Sequence, residues 1–247
     1  MVGAYVRTES LEVEFSDGTV ALHDVAIALK PDEFVSIVGP SGCGKSTLLR
    51  VLAGLQEPSR GHVDTSGGHV SFVFQDPTLL PWLTAIANVQ LPLRIAGVDV
   101  DTSAARARDA LDVVGLRGHE HKLPKQLSGG MRMRVSVARA LVTNPATFLF
   151  DEPFAAVDEI KREALNEMLL NIHQQQHFSA AFVTHSVSEA VFLADRVVVL
   201  SRGPGTIIAE IPVSLERPRH REQRFSPVFI DICRHVSEVL RQSEEPL

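Results

Sequence analysis

Cysteine and long apolar runs are both scarce in this 247-residue sequence. Cys43 and Cys233 are its two cysteines, which excludes a disulfide framework, and no Cys-x-x-Cys pair or Cys/His cluster suggests a metal site. Reduced thiols in a cytosolic protein are expected. No run approaches the roughly 18 apolar residues of a membrane-spanning helix, and residues 1–10 lack the apolar core of a signal peptide. We therefore expect a soluble chain that meets a membrane only through a partner.

Basic charge is not in excess either. The net charge is −6 at pH 7, whereas a nucleic-acid-binding domain normally carries a basic surface, so no nucleic-acid partner is predicted. Hydrophobic residues make up 45% of the chain and charged residues 22%, a balance that is typical of globular proteins and excludes widespread disorder. A basic cluster near the end is predicted to be a solvated tail, with a phosphate or lipid contact as the alternative; it consists of Arg217, Arg219, His220 and Arg221.

Four short apolar runs predict buried strands, at residues 34–38, 147–150, 180–184 and 197–200. Because they are nearly continuous in hydrophobicity, they favour a sheet covered on both faces. Near the start, apolar and polar residues alternate around a turn at 17–18 and predict an antiparallel hairpin. Residues 77 to about 144 show helical patterns between two groups of strands, which predicts a helical insertion into an α/β core. Further helices are predicted after Asp158 and from Pro227.

A glycine-rich loop directly follows the first of these runs. It fits the pattern G-x-x-x-x-G-K-[ST] between a strand and a helix, and its residues are Gly39, Pro40, Ser41, Gly42, Cys43, Gly44, Lys45, Ser46 and Thr47. The glycines let backbone N–H groups turn toward phosphate oxygens, and the following helix adds positive charge at its N-terminus. Lys45 is expected to meet the β- and γ-phosphates, and Ser46 to bind Mg²⁺. A chance glycine-rich turn is the alternative, which the flanking strand and helix disfavour.

Two acidic residues end the second run. Asp151 at the carboxyl end of a buried strand can hold the Mg²⁺ shell opposite Ser46. Glu152, one position further, can orient an attacking water and accept its proton. A phosphotransferase needs no such base, because its acceptor brings its own hydroxyl. Together with the loop, this pair predicts hydrolysis rather than a P-loop kinase reaction.

Two more polar residues follow predicted strands. His185 comes directly after the run at 180–184, at the edge where ligands collect in parallel sheets, and is predicted to sense the γ-phosphate, although such a histidine is often structural. Gln75 follows the apolar segment 70–74, and its amide could touch the metal or the water.

A second anion site is suggested by Ser128, Gly129 and Gly130, which precede a helical pattern. Ser128 is a good N-cap, and the glycines leave backbone donors open to an anion; a plain capped helix is the alternative. Because the chain already has one phosphate loop, this second site is predicted to complete the site of another subunit.

In this order, the motifs make the sequence resemble the ATPases of ATP-binding cassette (ABC) transporters over roughly residues 8–210. The glycine-rich loop corresponds to Walker A, Gln75 to the Q-loop, residues 127–130 to the signature, 148–152 to Walker B, 155–158 to the D-loop and His185 to the switch histidine. The resemblance implies a P-loop α/β fold with a RecA-like core, an antiparallel β subdomain and an inserted helical subdomain at about 77–144. Residues 1–210 would form the nucleotide-binding domain, and 211–247 a basic segment and helix.

The family resemblance also implies how the protein works. Two cassettes would form a head-to-tail homodimer that holds two ATP molecules, each between Walker A of one chain and the signature of the other. ATP and Mg²⁺ are the implied cofactors. Phe15 stands where the family has an aromatic residue stacked on adenine, although an aromatic residue on a strand is often core. Asp158 joins the nucleotide site as the last residue of the D-loop.

A narrower likeness, carried by residues 79–84, 127–135 and 184–190, is to the nitrate/sulfonate/taurine branch of bacterial importers. It implies an ATPase at the cytoplasmic face of the cell membrane, which drives uptake of a small anionic or organic solute through a membrane permease. A periplasmic or lipoprotein solute-binding protein would deliver the solute. Trp82 is predicted either to contact the permease or to be core. The alternative function is a soluble ABC ATPase that acts on nucleic acid or ribosomes, which the acidic charge disfavours.

Three positions depart from the family pattern. Met131 stands where the signature commonly has Gln, although the importer branch often carries Met. Asp32 replaces a glycine that normally precedes Glu33, and the D-loop reads Ala-Ala-Val-Asp. Met131 puts the contact of a side-chain amide at that position in doubt, whereas the changes at Asp32 and in the D-loop remove no chemical group.

Overall fold

The computed structural model describes residues 6–66 and 68–244 and divides them between ten strands and seven α-helices. The strands are β1 (Val6–Glu14), β2 (Val20–Val25), β3 (Ala28–Leu29), β4 (Phe34–Val38), β5 (Arg60–Asp64), β6 (Val70–Val73), β7 (Thr147–Asp151), β8 (Ser179–Val183), β9 (Arg196–Leu200) and β10 (Ile207–Pro212). The helices are α1 (Lys45–Leu52), α2 (Ala85–Ile95), α3 (Val100–Val113), α4 (Gly129–Leu141), α5 (Glu159–Gln176), α6 (Val187–Leu193) and α7 (Pro227–Glu244). Two 3₁₀ turns lie at Pro124–Gln126 and Arg221–Phe225.

The larger sheet has six strands in the order β10-β9-β4-β8-β7-β6. The five strands from β9 to β6 are parallel, and β10 runs antiparallel to β9 at one edge. Every residue of β4, β7 and β8 is buried, as expected for strands covered on both faces. The four strands predicted from apolar runs are therefore confirmed. Their carboxyl ends meet at one edge, where loops between strands and helices collect polar residues.

The smaller sheet is antiparallel and contains the predicted hairpin. β1 pairs antiparallel with β2, β3 and β5, and its Arg7 lies between Ala28 of β3 on one side and Asp64 of β5 on the other. The turn between β1 and β2 is closed by a bond from the Phe15 N–H to the Thr19 carbonyl, and Gly18 adopts a φ of +83° there. A residue with a Cβ rarely adopts this conformation, which explains the Asp-Gly signal in the sequence.

Each face of the parallel sheet has its own apolar core. Val35, Ile37 and Val183 pack with α1 and the antiparallel sheet. Phe34, Phe150 and Phe182 point to the other face, where they pack with residues of α4, α5, α6 and α7. The phosphate loop between β4 and α1 is thus held by a strand and a helix that are both fixed in packed layers.

The segment between β6 and β7 is helical, as predicted. It contains α2, α3, the turn Pro124–Gln126 and α4, with α2 packed against both α3 and α4. Thr84, Asp99 and Ser128 are N-caps whose side-chain oxygens accept backbone N–H bonds. The P-loop α/β fold with an antiparallel part and a helical insertion is therefore confirmed, whereas the proposed division at residue 210 stays a prediction.

The prediction that the basic cluster is a solvated tail is wrong for the residue in the middle of that cluster. Arg219 is only 7% exposed, and its Nη1 donates to the carbonyls of Val191, Phe192 and Ala194. These carbonyls end α6 and have no partner within the helix, which is why a cation is drawn to them. Burial lowers the pKa of Arg219 to about 10, so the guanidinium remains charged at pH 7.

Among the helices of the described ranges, none combines the length and the apolar character that a membrane span requires.

Candidate functional site

The glycine-rich loop wraps the N-terminus of α1. Gly42 and Gly44 adopt φ values of +77° and +99°, and Gly44 is the N-cap of the helix. A Cβ on Gly44 would stand 2.6 Å from the Ala21 carbonyl oxygen, so the close approach of β2 adds a second reason for glycine. Both residues are needed to turn backbone N–H groups toward one point, which makes the loop suited to bind phosphate.

Lys45 is the first residue of α1 and lies against the loop that precedes it. Its Nζ donates to the carbonyl oxygens of Gly39 and Pro40, both at 2.8 Å, and the residue is 5% exposed. Cys43 is buried beside it, and burial raises the pKa of its thiol, although the charge of Lys45 opposes this. A neutral thiol leaves the positive charge of Lys45 available to an anion.

Ser46 and Asp151 meet across the sheet edge. The Ser46 hydroxyl donates to Asp151 Oδ1 at 2.7 Å, and Asp151 is the buried last residue of β7. The bond brings a residue from α1 to the end of a strand 105 positions away in sequence. A hydroxyl and a carboxylate at one point are oxygen ligands of the type that Mg²⁺ binds.

Glu152 and His185 form the second polar pair. His185 Nε2 lies 2.7 Å from Glu152 Oε1; the glutamate side chain is 13% exposed and the histidine 50%. The Glu152 N–H donates to the Val183 carbonyl at 3.1 Å, and Glu152 has a φ of +48°. Positive φ is unusual for a residue with a Cβ, and here it turns the carboxylate out of the sheet toward His185.

One cavity of about 840 Å³ joins these residues. Predicted site residues that line it come from five segments: Phe15; Ser41, Gly42, Gly44, Lys45, Ser46 and Thr47; Gln75; Glu152; and His185. Phe15 is 41% exposed at the β1–β2 turn, so it is not core. Residues far apart in sequence are therefore brought together around a single space large enough for a nucleotide.

Part of the cavity wall was missed by the sequence analysis. Gly203 and Pro204, between β9 and β10, line the cavity beside the phosphate loop. The neighbouring Gly205 exchanges backbone bonds with Ala21 and His23, and a Cβ on it would stand 2.1 Å from the Cys43 carbonyl oxygen. The Gly-Pro-Gly sequence was the available signal, since paired glycines often mark a close backbone approach.

Eight predicted site residues do not line this cavity. Four of them lie beside it, namely Gly39, Pro40 and Cys43 of the phosphate loop and Asp151, and the other four are Ser128, Gly129, Gly130 and Asp158. Ser128 Oγ accepts from the Met131 N–H at 3.3 Å as the N-cap of α4. Asp158 caps α5 by accepting from the Lys161 N–H, and it pairs with Lys161 Nζ at 2.7 Å. Both caps lie on exposed parts of the chain. Their contact with a nucleotide stays a prediction that requires a second chain.

The structure explains two of the three departures from the family pattern, Asp32 and Met131, and it also bears on the prediction for Trp82. Asp32 has a φ of +58°, the conformation for which glycine is the common solution, and aspartate tolerates it better than most residues. Trp82 is 71% exposed, so the prediction that it is core is wrong, and its contact with a permease remains a prediction. Met131 takes part through its backbone N–H, as the donor to Ser128, which any residue other than proline could supply.

Comparison with known proteins identifies the family of this chain. The family model described as "ABC transporter" matches residues 22–155. The aliphatic sulfonates import ATP-binding protein SsuB 2 of Pseudomonas syringae pv. tomato is 46% identical over 206 residues, which cover 83% of this chain and 86% of that protein. The nitrate import ATP-binding protein NrtD of Synechococcus elongatus is 42% identical, with 82% and 78% covered.

A solved structure of the ATP-binding cassette MJ0796, dimeric and in a post-hydrolysis state bound to ADP and Pi, has a TM-score of 0.76 to this chain. The two are 31% identical, and the match covers 85% of this chain and all of the other. The phosphate loop, the paired carboxylates at the sheet edge and the helical insertion are thus accompanied by extended similarity in sequence and fold. On both grounds, this chain belongs to the ABC transporter family and is one of its ATP-binding cassettes.

Proposed function

We propose that this chain is the ATP-hydrolysing subunit of a bacterial importer and that it acts as a dimer. The observation that carries the proposal is the pair Glu152 and His185, 2.7 Å apart, in the cavity that also contains Lys45 and Ser46. A carboxylate can take a proton from water, and an imidazole can hold a hydrogen bond to a phosphate oxygen. Together these two groups can supply the chemistry that ATP hydrolysis requires.

Binding of ATP is proposed to begin at the phosphate loop. The N–H groups around Gly42 and Gly44 and the N-terminus of α1 face the phosphates, and the Lys45 ammonium exchanges its carbonyl partners for β- and γ-phosphate oxygens. These groups offset the negative charge of the triphosphate. Phe15, at the other end of the cavity wall, is proposed to stack on adenine.

Ser46, Gln75 and Asp151 are proposed to hold Mg²⁺. The Ser46 hydroxyl and the Asp151 carboxylate are 2.7 Å apart, and Ser46 and Gln75 both line the nucleotide cavity; each of the three side chains can supply an oxygen ligand of the kind that Mg²⁺ prefers. When bound, the ion would neutralise part of the phosphate charge.

Hydrolysis is proposed to use Glu152 as the base and His185 as its partner. The positive φ of Glu152 aims its carboxylate at the space beside the phosphate loop. There it can orient a water for in-line attack and accept the proton. His185, which is half exposed, can donate from Nε2 to a γ-phosphate oxygen once ATP is present.

The second half of each site is proposed to come from the partner chain. Ser128, Gly129 and Gly130 start a helix on the exposed surface, and helix N-termini attract phosphate oxygens. Asp158 starts another and is proposed to approach the same interface. The dimeric state of the solved relative supports this arrangement.

The transported solute is proposed to be a small anion or organic compound such as nitrate, a sulfonate or taurine. The names of the sulfonate and nitrate relatives support this class. The chain would then work at the cytoplasmic face of the cell membrane, bound to membrane permease subunits. A periplasmic or lipoprotein solute-binding protein would supply the solute.

The decisive variant for hydrolysis is Glu152→Gln, which keeps the size of the side chain and removes its basicity. We expect ATP turnover to fall by about 10²–10⁴-fold, while ATP binding survives and an ATP-stabilised dimer accumulates on a sizing column. Glu57→Gln, an exposed surface change, serves as the control and should turn over normally. Rapid turnover by Glu152→Gln, or loss of its ATP binding, contradicts the proposal.

A further inference from the structure

A buried polar cluster lies next to His185 without lining the nucleotide cavity. It joins Thr184, the residue before His185, to Glu189 of α6 and to Arg224 of the 3₁₀ turn Arg221–Phe225. Thr184 and Glu189 are each 5% exposed. A carboxylate at this depth is costly unless hydrogen bonds and positive charges compensate it. The Thr184 hydroxyl supplies one such bond to Oε2, and Oε1 has no hydrogen-bond partner among the described residues.

Glu189 is bonded on both sides of His185. The Thr184 hydroxyl donates to Glu189 Oε2 and accepts the N–H of Ser186 at 3.1 Å. The Ser186 hydroxyl in turn accepts the N–H of Glu189 at 3.3 Å. The residues before and after His185 are therefore tied to one glutamate, by its side chain and by its backbone. Such a bracket limits how the histidine backbone can move.

Arg224 brings the C-terminal segment into this cluster. Its Nη1 donates to Ser188 Oγ at 3.1 Å, and its guanidinium carbon lies 3.7 Å from the centroid of the Phe192 ring. Burial raises the pKa of Glu189, and this is opposed by the Thr184 hydrogen bond and by the positive charges of Arg162 and Arg224. Arg224 thus holds α6 on both sides of Glu189, through Ser188 and Phe192.

Arg162 extends the cluster to the predicted D-loop. Its Nη2 donates to the Val157 carbonyl at 2.8 Å, within the segment 155–158. Arg162 therefore comes from α5, whose N-cap is Asp158, and Arg224 comes from a segment near the end of the chain. The charges of both arginines lower the pKa of the Glu189 carboxyl, against the effect of burial.

We propose that Glu189 and Arg224 are positioning residues for His185: Arg224 holds α6 to the C-terminal segment through Ser188 and Phe192, and Glu189 of that helix fixes the backbone that holds the imidazole beside Glu152. The inference rests on the proposed function, in which His185 and Glu152 act on ATP. It gives the C-terminal segment control over turnover, because loss of the Arg224 contacts frees α6 and the backbone around His185 without changing the phosphate loop.

The test compares Arg224→Gln with Arg221→Gln in the full chain. Arg221 lies in the same 3₁₀ turn, but its side chain is 63% exposed and contacts only Glu163 among acidic groups, at 3.5 Å. We expect Arg224→Gln to lower kcat for ATP by about ten-fold and to leave KM within about two-fold, since misplacing a catalytic group costs turnover rather than binding. Arg221→Gln should match the wild type, and Arg224→Lys should recover most of the loss.

A spectroscopic readout separates positioning from mere stability. The ¹⁵N signals of the His185 ring, assigned by their loss in His185→Asn, should shift in Arg224→Gln and not in Arg221→Gln. Unshifted signals together with unchanged kcat per folded molecule, even with a lower Tm, would overturn the inference. If Arg224→Gln does not fold, the nearly isosteric Glu189→Gln carries the same test.

The outcome for Glu152→Gln distinguishes this inference from the function on which it rests. An inactive Glu152→Gln beside a fully active Arg224→Gln refutes the positioning role alone. A fully active Glu152→Gln refutes the proposed function itself.

Discussion

At the scale of single residues, Lys45 is held in place by the phosphate loop, and it is proposed to bind the phosphates of ATP together with that loop. Its two carbonyl bonds, both at 2.8 Å, orient the ammonium group toward the centre of the loop before any phosphate arrives. An anion can replace these neutral acceptors with charge-assisted bonds, which are stronger. The side chain therefore needs little reorganisation to bind ATP.

Lys45→Ala should abolish measurable ATP turnover, because the loop then lacks its only full positive charge. Turnover is followed by phosphate release from the purified chain. Lys30→Ala, a change of an exposed lysine, controls for the general loss of one charge and should leave the rate unchanged. A Lys45→Ala chain that retains near-normal turnover rules out the loop as the phosphate site.

Single residues also show where sequence reasoning succeeds and where it ends. The phosphate loop, Asp151 and Glu152 could be predicted because each lies within a few positions of a strand end, and local spacing fixes their placement. The burial of Arg219 could not be predicted, since it depends on the end of α6 lying beside it. Charged residues are usually exposed, and only tertiary structure creates the exception.

At the scale of elements, α5 carries a histidine whose environment keeps it neutral. His173 is 6% exposed and meets the rings of Phe34 and Phe178 edge-on, at centroid distances of 5.4 and 5.0 Å. Burial, with a smaller contribution from Arg217, lowers its pKa to about 4. The packing of α5 against the sheet is therefore sensitive to acid.

The sign of this pH dependence follows from the two pKa values. In the unfolded chain a histidine titrates near 6.5, so between about pH 6.5 and 4 the unfolded state binds the additional proton. Stability is then complete above pH 6.5 and falls as the pH is lowered toward 4. From pH 7 to pH 5 this one group is expected to remove about 2 kcal/mol from the free energy of unfolding.

The pH prediction is checked with His173→Phe, which keeps a ring and cannot be protonated. Urea unfolding at pH 7 and pH 5 should show a smaller loss of stability in this variant than in the wild type, by about 2 kcal/mol. His235→Phe, a change of an exposed histidine in α7, is the matched control. Equal losses in His173→Phe and the wild type would show that His173 does not carry the effect.

Elements differ in how far the sequence predicts them. β4, β7, β8 and β9 appear as apolar runs because both faces are buried. The edge strand β10 and the short pairing of β5 with β1 have mixed exposure, and no periodic pattern predicted them. β5 is placed by β1, which lies far away in sequence, and β10 by the preceding strand β9, which leaves it at the edge of the sheet.

The loop that enters the helical insertion should act in coupling rather than in folding. Trp82 is 71% exposed, so Trp82→Ala should change Tm little, and transport per folded complex should fall because tryptophan is a favoured interface anchor. The measurement is solute uptake by reconstituted importer, with Leu55→Ala, another exposed apolar change, as the control. A lower Tm with unchanged transport would assign Trp82 a structural role instead.

At the scale of the whole molecule, the two predicted phosphate-binding regions do not share a cavity. The loop with Lys45 lines the nucleotide cavity, whereas Ser128, Gly129 and Gly130 do not. Within one chain, Ser128 serves only as the cap of α4 among its described contacts. A head-to-tail dimer gives both regions a use, since each chain then completes the site of the other.

From the sequence, this separation could be inferred only because one chain carries two motifs that are each suited to bind phosphate. Nothing in local spacing says whether residue 128 faces residue 45 of its own chain. The fold answers the question for one chain, because α4 begins in the helical insertion and α1 begins in the parallel core. Contacts between residues of two different chains do not appear among the contacts within one chain.

Mixing two inactive variants tests the central claim most directly. Lys45→Ala removes the charge of the phosphate loop, and Ser128→Arg places a bulky cation at a helix N-terminus that already carries positive charge. In a mixed dimer both changes fall on one composite site, and the other site keeps an intact Lys45 and an intact Ser128. We predict that Ser128→Arg monomers bind ATP normally and that the mixture hydrolyses ATP although neither variant does so alone. A mixture no more active than its components, or Ser128→Arg monomers that fail to bind ATP, would contradict the account.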